Sequence, residues 1–453
     1  MNLADPIDAP AAASESLFAP GRRAACVGAA ALISMLAFEA IAVATAMPAV
    51  AEALDGLPLY ALAFGATLAT SVLGMTAAGQ LCDKRGPYVA SLAGLAVFLL
   101  GLLLAGFAPS MTVLVLGRAL QGLGSGVLGV TLYVGVGKVV PQALHPKLFA
   151  MFAGAWVLPG LLGPAVASGL VHLMGWRSVF LAVAAAVPVA AALMLPALKR
   201  VGGGNGEALR WGAMRWALLA SAGALMLHAA SQQSGTGAGL LFATGLAVAF
   251  IAARHLLPAG TLKAVRGLPS VILLRGLIAA AFASAEAFLP LLLTQHFGWS
   301  LTQAGIALSA GAVTWSIGSA LQVRVHGDAA RQRLLPAGFA LAATGLAIVM
   351  VPVVFSELPS WLALAGWIGV GLGIGLSFPM VSVLLLKLSP PEQQGANSSA
   401  LQLSDALTSS AALALAGLLF NPVTRQMLPV LLLAFTLAAA AAAVSPRAMP
   451  RAA

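Results

Sequence analysis

Runs of roughly 17 to 25 mostly apolar residues recur along almost the whole chain, and that is the length at which an α-helix crosses a hydrocarbon core of about 30 Å. Barrel strands would be shorter and would alternate apolar with polar residues. Charged residues make up only 8% of the 453 and hydrophobic ones 60%, which leaves too little polar surface to cover a water-soluble globule of this size. The sequence therefore predicts an all-α membrane protein.

Fourteen such runs are discernible, at roughly 24–47, 58–78, 88–107, 111–136, 148–172, 178–198, 214–231, 237–253, 269–294, 301–322, 335–354, 361–386, 396–420 and 427–445. They group as six, two and six. A bundle at 24–198 and a bundle at 269–445 flank residues 199–268, where two short spans sit between "LKRVGGGNGEALRWGAMR" and "RHLLPAGTLKAVRGLPS". Residues 1–23 and 446–453 are expected to be cytoplasmic tails; the first carries acids ahead of its first base, unlike a cleavable signal. Two comparable six-helix halves suit a secondary transporter, whose site lies between halves that rock about the bilayer midplane.

The formal net charge of +10 has a topological explanation. With the N-terminus inside, all but three of the 23 Lys and Arg residues fall in cytoplasmic loops or helix ends. Arg177 and Arg425 lie outside, and Arg118 lies within a span. Nucleic-acid binding is therefore not expected. Cys26 and Cys82 both face the reducing side, so no disulfide is expected. The six histidines are scattered, no His, Asp or Cys cluster has metal or nucleophile spacing, and no G-x-x-x-x-G-K-[ST] segment is present. Neither an enzyme, a metal site nor direct ATP drive is expected.

Four segments carry a family resemblance. "GQLCDKRGP", between the second and third spans, resembles the loop motif G-x-L-a-D-r-x-G-r-k of the major facilitator superfamily at Gly79, Leu81, Asp83 and Gly86, with Lys84 and Arg85 supplying bases and Pro87 and Tyr88 departing from it. "LVLGRALQGLGSG" resembles l-x-x-x-R-x-x-q-G-x-g at Leu114, Arg118, Gln121, Gly122 and Gly124. "PGLLGPAVASG" is similar to the antiporter motif g-x-x-x-G-P-x-x-G-G at Gly163 and Pro164, with Pro159, Ala167 and Ser168 in glycine places. "FEAIAVATAMP", residues 38–48, is similar to the first-helix motif l-D-x-T-v-v-n-v-A-l-P of fourteen-helix drug:proton antiporters, with Glu39 in the Asp place. The resemblance implies two six-helix bundles plus an inserted central pair, proton coupling at Arg118, and a conformational switch at Gly79, Asp83, Arg85, Gly86, Gly163 and Pro164. It also implies that Asp83 meets the start of the helix near Asn397.

Three acids, Glu39, Glu286 and Asp405, fall within spans, opposed on this reading by Arg118 alone, a formal charge of −2. A carboxylate in low dielectric can gain and lose a proton near neutral pH, which proton coupling requires. Other roles remain open: Glu39 as a structural partner of Arg118, Glu286 snorkelling to the surface, Asp405 in a cap or ion pair. Asp405 shares a helical face with Ser398, Gln402 and Ser409, a polar stripe suited to a cavity wall. Gln121, Trp156, Trp315, Met380 and Gln402 complete the expected substrate cavity.

The expectation is a monomeric, proton-coupled exporter of lipophilic cationic or neutral small molecules in the bacterial inner membrane, both termini cytoplasmic, with the proton gradient as its energy source. A carrier of one specific metabolite or lipid on the same scaffold is the second reading.

Overall fold

The computed structural model describes residues 16–141, 144, 148, 151–152, 154–202, 211–230, 233, 236–325, 328–390, 394–421 and 426–449. Fourteen long α-helices follow one another: α1 Arg23–Ala53, α2 Tyr60–Arg85, α3 Pro87–Gly106, α4 Met111–Val139, α5 Val157–Met174, α6 Arg177–Arg200, α7 Trp211–Ala230, α8 Thr236–Leu256, α9 Leu268–Leu291, α10 Leu301–Arg324, α11 Asp328–Val354, α12 Trp361–Leu388, α13 Gln394–Leu419 and α14 Leu428–Val444. Twelve described stretches are long and apolar enough to cross a membrane. The two helices outside that set are α7, which carries Arg215 and His228, and α13, which carries Asp405 and a run of hydroxyl and amide side chains.

The halves repeat one packing plan. α4 lies against α2 and α3, and α12 lies correspondingly against α10 and α11. In both halves glycine sets the spacing: a Cβ on Gly122 would sit 2.1 Å from the Thr67 carbonyl of α2, and one on Gly371 would sit 2.2 Å from the Gly311 carbonyl of α10. Helices in lipid associate through such small-residue contacts, because burying apolar side chains gains little there. Prolines inside the helices free carbonyls that lipid cannot solvate, and neighbouring hydroxyls take them up. Pro159 leaves the Ala155 carbonyl free, and Ser34 Oγ donates to it at 2.8 Å; Pro379 does the same to Gly375, which accepts from Ser319 Oγ at 3.3 Å.

Several sequence expectations shift. The run at 148–172 is not one helix: the chain turns at Ala155–Trp156 and α5 begins at Val157, because Pro159 cannot bond back to Ala155. The "GQLCDKRGP" segment is not a loop but the last two turns of α2, joined directly to α3 by Gly86 at φ +87. The segment after α14 is not a free tail: the Arg447 carbonyl accepts from the Gly267 amide at 2.8 Å, and Arg266 donates to the Pro446 and Met449 carbonyls.

We call the end carrying Lys84, Arg85, Lys199 and Arg200 the basic end, and the opposite one the far end. The halves meet tightly at the far end. Tyr60 Oη of α2 donates to the Ala287 carbonyl of α9 at 2.8 Å, Ser410 Oγ of α13 donates to the Gly65 carbonyl at 3.2 Å, and Ser168 Oγ of α5 lies 3.1 Å from Thr302 Oγ1 of α10. Tyr60, Phe288 and Phe420 pack at a tilt over this seam, with centroid distances of 5.4 and 5.3 Å. Thr302 of α10 also approaches His172 Nε2 of α5 here, at 3.4 Å. The inserted pair α7–α8 packs across the same seam, touching α2 and α13 together through Ala217, Ala220, Val72, Ala406 and Leu407.

Candidate functional site

Two arginine–carboxylate pairs face the interior, one in each half. In the first half, Arg118 of α4 donates through Nη1 to Glu39 of α1, and both side chains are almost sealed, at 5% and 6% exposure. The same nitrogen reaches Gln121 Oε1 at 2.6 Å, while Arg118 Nε donates to the Ala63 carbonyl of α2 at 3.2 Å. Gln121 Nε2 then donates to the Gly101 carbonyl of α3 at 3.0 Å. Four helices therefore hold one guanidinium. The sequence places Gln121 in the substrate cavity; the structure buries it completely with both ends of its amide engaged, as a positioning partner of Arg118.

In the second half, Arg275 of α9 donates through Nε to Asp405 Oδ2 of α13 at 2.9 Å and through Nη1 to Ser382 Oγ of α12 at 3.5 Å. Its guanidinium lies 3.3 Å from the centroid of the Phe378 ring. This pair is more open, at 15% and 28% exposure. Sequence reasoning missed it, having counted Arg275 among helix-end bases. The signal was Asp405 itself, an acid deep in a span that required a partner. The charge balance changes accordingly: Glu39, Glu286 and Asp405 against Arg118 and Arg275 leave −1, not −2.

Glu286 is the acid left over. It is half-buried on α9 and forms no hydrogen bond or ion pair among the described residues. One turn toward the basic end on the same face stands Phe282, edge-on to Trp315 at 5.3 Å and stacked on Trp367 at 5.5 Å; Trp315 in turn meets Phe378 at 5.3 Å. The expected cavity residue Trp315 thus belongs to a half-buried aromatic wall, and Gln402 is exposed one turn below Asp405. Met380 is buried at 3% exposure, inside the second half rather than on its wall. Trp156, 50% exposed, stands at the basic end just before α5 and not among these groups.

The expected switch residues divide. Gly163 and Pro164 sit where α5 meets both α1 and α10: a Cβ on Gly163 would lie 3.2 Å from Ile41, and one on Gly305 would lie 3.1 Å from the Pro164 carbonyl. Gly86 supplies a backbone conformation L-residues avoid, whereas a Cβ on Gly79 would meet nothing. Asp83 and Arg85 are exposed, and Asp83 has no partner among the described residues. Asn397 donates instead to Ser389 Oγ at 2.9 Å. Arg425 lies outside the described residues.

No described group of His, Cys, Asp and Glu is arranged to hold a metal ion. The assembly is a ring of membrane helices around an interior with one unpaired carboxylate, closed at one end by hydrogen bonds. Solved structures share this architecture: a D-xylose–proton symporter superposes with a TM-score of 0.68 at 14% identity, covering 94% of this chain and 98% of that one. The POT family transporter PepTSo gives 0.69 at 16% identity, covering 94% and 96%. At these identities the likeness concerns the fold. Among relatives by sequence, a probable multidrug-efflux transporter of Mycobacterium tuberculosis is 28% identical over 425 residues, 88% of each chain. The multidrug transporter protein MdtP of Bacillus subtilis is 30% identical over 144 residues, 32% of this chain and 27% of that one. Residues 27–413 match the Major Facilitator Superfamily as a whole, and with the fold and the motifs of α1, α2, α4 and α5 this establishes that the chain belongs to the Major Facilitator Superfamily.

Proposed function

We propose that the protein exports lipophilic cationic or neutral compounds in exchange for protons by alternating access, with its basic end and both termini on the cytoplasmic side of a bacterial inner membrane. The observation that carries this reading is the pairing pattern of the interior charges. Protonating Glu39 or Asp405 would leave an arginine without its counter-ion, which is strongly unfavourable when buried. Protonating Glu286 breaks no pair. A proton and a cationic substrate therefore compete for one carboxylate, which is the exchange an antiporter needs. The names of the relatives support efflux, and the basic loops support the orientation.

With that orientation the structure corresponds to the inward-facing state. The outer seam is held by Tyr60, Ser410 and Ser168, and exposed Gln402 and half-open Asp405 face the inner side. The exposed, unpartnered Asp83 agrees with a switch that engages in the opposite state.

The test is reconstitution in liposomes with an imposed pH gradient and a lipophilic dye cation. Wild type is expected to move the dye against the proton flow and Glu286→Gln to lose the gradient's effect. Equal gradient-driven movement in both would remove Glu286 from coupling, and no movement by folded wild type would shift the reading to one narrow metabolite or lipid.

A further inference from the structure

α9 aligns three different chemistries on one face. Arg275, Phe282 and Glu286 are spaced by seven and then four residues, so they stack above one another. At 1.5 Å per residue, the Cα positions of Arg275 and Glu286 lie about 16 Å apart along the axis. The side chains at both ends shorten that gap to the length of a two- or three-ring aromatic compound. Between them stands the wall formed by Phe282, Trp315 and Phe378.

Arg275 is not used up by its protein partners. Of the five N–H donors of a guanidinium, Asp405 and Ser382 engage two. Nη2 has no acceptor among the described residues, and the pair is 15% and 28% exposed, so the guanidinium is not sealed. The ring of Phe378 covers one flat side of the guanidinium and leaves its edge presented. From the other half, Tyr133 of α4, 44% exposed, lies within electrostatic reach of the same group. Arg118 is far less reachable, because its pair is only 5% and 6% exposed.

We propose that Arg275 is the anchoring point for a carboxylate on an aromatic substrate, and that amphoteric aromatic compounds, bearing an amine as well as a carboxylate, are a preferred cargo of this site. The inference rests on the exporter reading and refines its substrate class. A purely anionic compound would gain Arg275 but leave Glu286 unpaired, with a second carboxylate, Asp405, beside its anchor. A purely cationic one would satisfy Glu286 but leave the edge of Arg275 without an acceptor. An amphoteric compound answers both: its carboxylate takes the free edge of the guanidinium, its rings lie on Phe282 and Trp315, and its ammonium reaches Glu286. Charge-assisted, fork-shaped contacts of this kind are where arginine outperforms lysine.

The experiment uses the full chain in liposomes and two probes, a diaminoxanthylium dye with a free carboxyphenyl group and the methyl ester of that same dye. Binding is read from tryptophan quenching, transport from dye accumulation. Wild type is expected to bind the free acid about tenfold or more tightly than the ester, the size of one hydrogen bond to a charged group. The double variant Arg275→Gln/Asp405→Asn, which removes both charges together, is expected to lose that preference, read as an acid-to-ester affinity ratio near one. Arg275→Lys is expected to keep only part of it. Equal affinity of wild type for acid and ester, with the ester still transported, overturns the inference and leaves the exporter reading standing. Transport of neither dye by wild type overturns the exporter reading and the inference together. The wild-type comparison of acid with ester decides the matter even if the double variant fails to fold.

Discussion

The two arginine–carboxylate pairs enter the bundle from opposite ends, Arg118 two turns from the far-end start of α4 and Arg275 two turns from the basic-end start of α9, and their surroundings differ in almost every respect. Arg118 is fixed by Glu39, Gln121 and the Ala63 carbonyl, with its pair about 5% exposed. Arg275 has two side-chain partners and an aromatic ring, with Asp405 28% exposed. A sealed pair fixes a shape; a half-open one can receive something. One half therefore supplies a rigid frame and the other supplies the contact surface, although both are built on the same helix plan.

The contrast can be broken most forcefully at Arg118. Arg118→Gln leaves Glu39 buried without its cation and is expected to destabilise by about 3–5 kcal/mol, read as a large fall in unfolding temperature in detergent. Next, Gln121→Leu strips one acceptor from the buried Arg118 and a second donor from the Gly101 carbonyl, for about 1–3 kcal/mol; the same melting assay checks it. Asp405→Asn is expected to fall between the roughly 0–1 kcal/mol of an exposed pair and the 3–5 kcal/mol of a buried one. A loss as large as that of Arg118→Gln would show that the second pair is no more open than the first. The smallest stability effect is expected from Glu286→Gln, within about 0.5 kcal/mol because no ion pair is broken. Its functional effect is expected to be large. In wild type the affinity for a cationic dye should rise with pH as Glu286 gives up its proton, and in Glu286→Gln a titration between acid and neutral pH should be flat.

Much of this frame was legible in the sequence. Apolar runs of spanning length give fourteen helices, and an arginine inside a span together with a glutamate in the first helix leaves a buried pair as one of the open roles of Glu39. What sequence reasoning lacked was depth within the bundle. Arg275 lies two turns from the start of α9 and so passes for a loop-side base, while three-dimensional packing places it against Asp405. Gln121 and Met380 have plausible cavity chemistry, but one-dimensional periodicity does not say which polar face looks at a neighbouring helix. Within the family's loop motif, Gly79 and Gly86 look alike in the sequence; only the second adopts φ +87, and only there is a side chain expected to strain the backbone.

The inserted pair α7–α8 lies outside the six-plus-six plan, and the way it is attached has a mechanical consequence. Ser221 Oγ fastens α7 to the Ala69 carbonyl of α2 at 2.7 Å, and the His228 ring fills the space left by Gly65 on that same helix. Toward α13 it meets Ala406 and Leu407, and the same His228 ring engages the Ser410 backbone. A helix fastened on both sides behaves as a strap across a joint. For α2 and α13 to part, one of these fastenings has to yield, so the inserted pair loads the very seam it covers.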